Sequence, residues 1–114
     1  NSYSPYSKFR VGACLLTEEG EVFCGTNVEN GSFGGTICAE RVAFSKAVSE
    51  GYRNFKSICI AGLDCDDFLY PCGICLQFMS EFASNLEIIV TNKKKDYKVY
   101  KISELFPYAF SFSR

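Results

Sequence analysis

A basic surplus is missing from this chain: 12 Lys and Arg stand against 13 Asp and Glu, a net charge of −1. A protein whose main task is to neutralise phosphates carries a clear basic excess, so nucleic acid is excluded as the principal partner. Long apolar runs are missing too. None reaches the roughly 18 residues that a membrane-spanning helix needs, and there is no charged-then-apolar leader with a small-residue cleavage site, so the chain reads as soluble and not membrane-bound. No repeat and no internal domain boundary interrupts it. The one basic run, Lys93-Lys94-Lys95, is followed by Asp96 and reads as a solvated turn.

What is present suffices for one domain over residues 1–114: 47% of the chain is hydrophobic, enough for a sheet covered by helices. The cysteine count is seven, and an odd number beside a good apolar core fits a full disulfide framework poorly. A reducing, cytoplasmic compartment is expected. If three thiols hold metal, Cys14, Cys24, Cys59 and Cys65 remain. The first three sit in apolar strand-like runs and are expected to be small buried core residues. Cys65 lies among Asp64, Asp66 and Asp67, whose carboxylates should keep it a thiol.

Residues Asn1 to Arg10 form an entry loop. Val11 to Thr17 and Val22 to Glu29 are strand-like and separated by Glu18-Glu19-Gly20-Glu21, which predicts an antiparallel hairpin. The glycine-rich stretch Asn30 to Gly35 is a loop that can approach a ligand or another chain closely. From Cys38 to about Glu50 apolar residues recur at helical spacing, ending at Gly51. Ser57 to Leu63 and Leu86 to Thr91 have the pattern of strands buried on both faces, and between them a helix runs from just after Pro71 to about Ala83. Tyr97 to Ile102 predicts an edge strand. A short turn capped by Ser103 opens the tail, whose large apolar side chains pack inward or against a partner. The order β-β-α-β-α-β-β calls for an α/β fold with a mixed sheet, parallel at its centre, and helices packed on it.

Two stretches carry chemistry. In Thr36-Ile37-Cys38-Ala39-Glu40-Arg41 a thiol and a carboxyl stand two apart at a helix start, and Pro71-Cys72-Gly73-Ile74-Cys75 offers two more thiols at the start of another. Zinc binds thiolate well, and a catalytic zinc keeps three protein ligands and one open position. A parallel strand between the helices brings both starts to one end of the sheet, where helix dipoles favour thiolates. Cys38, Cys72 and Cys75 are therefore the candidate ligands of one Zn2+, with Glu40 free to move protons. Three thiolates leave the site negative. Arg41 is either the group that offsets this charge or an ordinary surface arginine, and a closed structural site with a fourth thiol is the alternative to an open one.

Together with Asn27-Val28-Glu29-Asn30, these motifs resemble the cytidine deaminases of free nucleosides, the small homotetrameric all-cysteine type; Cys38 stands where nucleic-acid editing relatives have His. The resemblance runs from Tyr3 to Phe110. It implies a three-layer α/β/α fold with a five-stranded mixed sheet. It also implies an N-terminal helix that this chain does not contain. The implied activity is hydrolytic deamination of cytidine or deoxycytidine to the uracil nucleoside and ammonia, in pyrimidine salvage, with one zinc per subunit and Glu40 carrying the protons. A modified cytosine nucleoside such as blasticidin S is an alternative substrate, and a non-catalytic zinc-binding domain an alternative function.

By the same resemblance Asn27 and Glu29 bind the ribose hydroxyls, Phe9 lines the base pocket and the Ala39 backbone meets the pyrimidine edge. Phe33 and Phe110 match aromatics that reach into a neighbouring subunit's site, which implies a homotetramer with shared sites. Many members have Tyr at the position of Phe33, and Leu76 replaces a common arginine, which gives Arg41 more weight.

Overall fold

A computed structural model describes residues 1–111. Its elements are β1 (Val11–Thr17), β2 (Val22–Thr26), α1 (Ala39–Ser49), β3 (Phe55–Gly62), α2 (Gly73–Phe82), β4 (Glu87–Thr91), β5 (Tyr97–Lys101) and a one-turn α3 (Ile102–Leu105). The strands form one sheet in the order β2-β1-β3-β4-β5. β1 is antiparallel to both β2 and β3, β3 and β4 are parallel, and β5 closes the edge antiparallel to β4. This is the mixed five-stranded α/β arrangement that the sequence predicts, edge strand included.

Because β2 and β3 both oppose β1, they run the same way, and β4 runs with them. Each helix that leaves the carboxyl end of one of these strands therefore starts at the same end of the sheet. α1 follows β2 and α2 follows β3, so the two helix N-termini are neighbours.

β2 is shorter than its apolar run. After Thr26 the chain exchanges hairpin pairing for contacts with the entry loop and the segment before α1. Tyr3 donates its N–H to Asn27 O and accepts from Glu29 N–H at 3.1 and 2.8 Å, while Val28 and Ile37 exchange both backbone hydrogen bonds at 2.9 and 2.8 Å. Asn27 and Glu29 thus lie beyond the strand, at the end of the sheet where the helices begin.

The core lies on one face. Ala13, Leu15, Ile58, Ile60, Ile88 and Val90 meet Ala43, Phe44, Ala47, Leu76 and Met79 from the two long helices, and Ile102 from α3 joins them. β3 and β4 alternate buried with half-buried or exposed positions, which corrects the expectation that both their faces are buried. A continuous apolar run does not distinguish a doubly covered strand from one whose outer row is also apolar. Among the described residues the helices share one side of the sheet. Its other side presents Cys14, Leu16, Val22, Cys24, Cys59, Ala61 and Ile89 at least partly to solvent.

The cysteines of that outer row correct a second expectation. Cys14 and Cys24 are exposed and joined in a disulfide, and Cys59 is half-buried and free. The reason is register: Cys14 pairs with Cys24 on β2 and with Cys59 on β3, so all three share a row on the outward face. Cys65 is also free and half-buried. In the tail, helical geometry begins at Ile102 and not after a Ser103 cap; the Lys101 N–H is held by Glu104 Oε1 at 2.8 Å instead. Leu105 and Phe106 pack against the core, whereas Tyr108 is 90% exposed. No helix among the described residues is long and apolar enough to cross a membrane.

Candidate functional site

Cys38 is the N-cap of α1 and Cys72 the N-cap of α2, with Cys75 one turn into that helix. Their sulfurs all lie within 4.8 Å of one another. Tetrahedral zinc with Zn–S of about 2.3 Å needs sulfurs roughly 3.8 Å apart, so the cluster fits the ion with small side-chain adjustment. No fourth Cys, Asp or Glu among the described residues joins the group. The closed four-ligand alternative therefore has no donor of those types here.

The electrostatics suit a metal that needs thiolates. Cys38 is lowered to about 5, chiefly by a hydrogen bond from Cys75, with Arg41 adding to the effect against burial. Cys75 is raised, first by that same bond and then by burial. The two thiols are linked by one hydrogen bond that lowers Cys38 and raises Cys75, so Cys38 is the readier thiolate. Arg41 places Nη2 3.6 Å from Cys38 Sγ and 3.3 Å from Thr36 O. The guanidinium faces the thiol cluster and is not a solvated surface group.

Glu40, in the first turn of α1, is 5% exposed. Desolvation pushes its carboxyl above the ordinary range. It lines a cavity of about 200 Å³ together with Cys38, Cys72, Ala39, Asn27 and Thr36. A neighbouring cavity of about 370 Å³ is walled by Tyr6, Ser7, Glu29, Phe33 and, again, Thr36. Thr36 lines both, so the cavity with the thiols and Glu40 adjoins the one that holds Glu29.

Asn27 and Glu29 are buried and heavily engaged. Asn27 Oδ1 accepts from Val11 N–H at 3.0 Å and from Ser2 Oγ at 2.5 Å, and Nδ2 donates to Phe9 O at 2.8 Å. Glu29 Oε1 accepts from the Tyr6 and Ser7 N–H groups at 3.0 and 3.1 Å, and Oε2 from the Ser7 hydroxyl. The Ser7 hydroxyl is the main reason its carboxyl is held below the ordinary range. Counting capacity, the Asn27 amide keeps a second N–H and the Glu29 carboxylate a further lone pair for a ligand.

The cavity at the thiols thus gathers Cys38, Cys72, Ala39, Glu40 and Asn27, with Glu29 and Phe33 next door. Phe9 is half-buried, and its ring lines neither cavity. Phe33 is 73% exposed and rests edge-on against Tyr6, at 5.6 Å between centroids, within its own chain. Phe110 is 62% exposed, its backbone bound in both directions by the Gln77 side chain at 2.9 and 3.1 Å. Thr36, the first residue of the Cys38 motif, and Ser7 have no role assigned by the sequence, and Leu69 and Tyr70 are marked only by their adjacency to Pro71-Cys72.

Fold and site together define an α/β protein whose paired helix N-termini present a three-thiol metal centre beside a buried carboxylate. The chain belongs to the cytidine and deoxycytidylate deaminase family: the model of that family's zinc-binding region matches residues 1–91, which hold all three thiols and Glu40. It is 50% identical over 112 residues to a probable cytidine deaminase of Dictyostelium discoideum, covering 96% of this chain and 74% of the relative. The cytidine deaminase of Sporosarcina psychrophila is 44% identical over 111 residues, covering 96% and 81%. Among solved structures, the cytidine deaminase of Burkholderia pseudomallei superposes with a TM-score of 0.92 at 43% identity, over 96% of this chain and 88% of that one.

Proposed function

We propose that this protein is a zinc-dependent cytidine and deoxycytidine deaminase, which adds water to the base and releases ammonia and the uracil nucleoside. The observation that carries the reading is a buried Glu40 carboxyl in the wall of a cavity that also holds thiols close enough to share one metal. Cys38, Cys72 and Cys75 would hold the ion. When bound, zinc supplies a Lewis-acidic position at which water is acidified. Glu40 takes the proton of the attacking water and delivers it to ring N3 as the water oxygen bonds to C4. As the C4 carbonyl forms, Glu40 takes the remaining proton of that oxygen and passes it to the amine, and the C4–N bond breaks to release ammonia. Burial suits this work, because a carboxyl raised above its usual range is a stronger proton acceptor than a solvated one.

In the same reading Asn27 and Glu29 bind the ribose hydroxyls, the Ala39 backbone meets the pyrimidine edge, Phe9 holds Asn27 through its backbone carbonyl and not by its ring, and Arg41 offsets the thiolate charge. Phe33 and Phe110 meet neighbouring subunits, so the working form is a homotetramer with shared sites. The setting is cytoplasmic pyrimidine salvage, for which five free cysteines among the described residues, three of them metal thiols, speak more strongly than one disulfide.

Zinc content and ammonia release from a panel of cytidine, deoxycytidine and blasticidin S, measured on one purified sample, test this. Glu40→Gln is expected to keep the zinc and lose at least about a thousandfold in turnover, the upper part of the range for general acid–base work plus charge stabilisation. A zinc-loaded wild type inert toward every member of the panel would sink the catalytic reading in favour of a binding domain.

A further inference from the structure

Three consecutive residues ahead of Cys72 are fastened to the sheet edge, and two of them face the cavity. Lys98 Nζ sits 4.7 Å from the centroid of the Phe68 ring. Leu69 donates its N–H to Thr91 O at 3.2 Å. The Tyr70 and Tyr100 hydroxyls share a hydrogen bond of 2.9 Å, and their rings lie 5.7 Å apart at 57°. Lys98 and Tyr100 are alternate residues of β5 and so project to one face, which makes the edge strand a rack for this loop. Tyr70 and Leu69 line the cavity together with Cys38, Glu40 and Cys72.

We propose that Tyr70 is a specificity-determining residue, its ring a fixed wall beside the thiols, and that Tyr100 is a positioning residue that acts through it. The inference rests on the cytidine deaminase reading of the site. A nucleoside that reacts at C4 brings that atom to the thiol cluster, so a wall next to Cys72 meets substituents carried on the ring beside C4. A ring held only by packing could swing aside for an added methyl group. A ring whose hydroxyl is tied to β5 and whose backbone neighbour is tied to β4 has to break those contacts first. The wall selects for unsubstituted cytosine over cytosine nucleosides methylated at the 5-position or on the amino nitrogen.

The test compares kcat/KM for 5-methylcytidine and N4-methylcytidine with that for cytidine, following the uracil nucleoside formed. Tyr70→Ala is expected to raise at least one of the two ratios about tenfold, the scale on which one methyl group is discriminated. Tyr100→Phe and Tyr70→Phe remove the same hydrogen bond and should raise it by the same smaller factor, with the double variant going no further. A purely structural role would lower all substrates together and leave the ratios alone; zinc content and melting temperature of each variant are recorded for that comparison. Calorimetric binding of uridine and 5-methyluridine reads the wall without turnover. A wild type that binds uridine but releases no ammonia from cytidine overturns the deaminase reading, and the binding ratio still judges Tyr70. Unchanged ratios in both turnover and binding for Tyr70→Ala overturn the proposal. Should that variant not fold, unchanged or unequal ratios in the two phenylalanine variants do the same.

Discussion

Arg41 sets one guanidinium nitrogen against Cys38 Sγ and the Thr36 carbonyl, while its buried Nε has no partner among the described residues. The chain has no histidine, so no imidazole is available to the metal, and three thiolates around a dication leave a net negative site. Leu76, buried beside Cys75, contributes no charge. Arg41→Ala is therefore expected to weaken zinc binding by about tenfold or more, as for other outer partners of metal ligands, measured by competition with a chromophoric chelator. A second residue-scale effect lies at the sheet end. Arg10 binds Asp64 through its backbone N–H and its guanidinium, with contacts of 2.7 to 3.2 Å. These bonds hold the Asp64 carboxyl at about 2, below its ordinary 3.8. A depressed carboxyl stabilises the fold fully above its unfolded value and loses that contribution as pH falls toward its folded one. The difference in urea midpoint between wild type and Asp64→Asn should be constant near neutrality and shrink between about pH 4 and pH 2.

At the scale of elements, the placing of α1 depends on how closely β2 lets it approach. A Cβ on Gly25 would stand 2.7 Å from Ala43 N, 2.8 Å from Ala39 O and 2.9 Å from the Val42 Cβ. Those are helix backbone and a stiff side chain, so α1 would have to move, and its first turn carries Cys38 and Glu40. Gly25→Ala is expected to cost about 1–3 kcal/mol by overpacking and to lower zinc affinity as well; urea denaturation and zinc titration of the same variant check both. The Cys14–Cys24 bridge joins the same two strands, closing a loop of sequence separation 10. Chain-entropy arithmetic gives a loop of that length about 2–3 kcal/mol. Non-reducing urea denaturation of the Cys14→Ser/Cys24→Ser variant should show a loss of that order.

For the whole molecule, large exposed apolar side chains occur near the site and in the tail, where Phe33, Ile74, Tyr108 and Phe110 are each more than 60% exposed, and also on β5, where Tyr97 is; surface of this kind fits burial by further copies of the chain. Under the homotetramer reading, Phe33→Ala with Phe110→Ala should shift the elution volume toward smaller assemblies and lower kcat/KM for cytidine in step. Elution at an unaltered volume with unaltered kinetics would separate these rings from both assembly and site.

The sequence by itself determined the local pieces: two helix starts with their thiols, the carboxyl two residues after Cys38, and the strand order along the chain. Those depend on spacing within a few residues, where helical period, capping and turn chemistry are decisive. Tertiary structure decided the rest, because pairing between distant strands has no local signature. Register placed Cys14 opposite both Cys24 and Cys59 on an outward row and turned supposed core residues into a bridge and a free thiol. Competition from Tyr3 and Ile37 cut β2 short and carried Asn27 and Glu29 to the helix end of the sheet. Tyr70 carries no local signal of a role; β5, folding back along β4, brings Tyr100 within hydrogen-bonding distance of its hydroxyl.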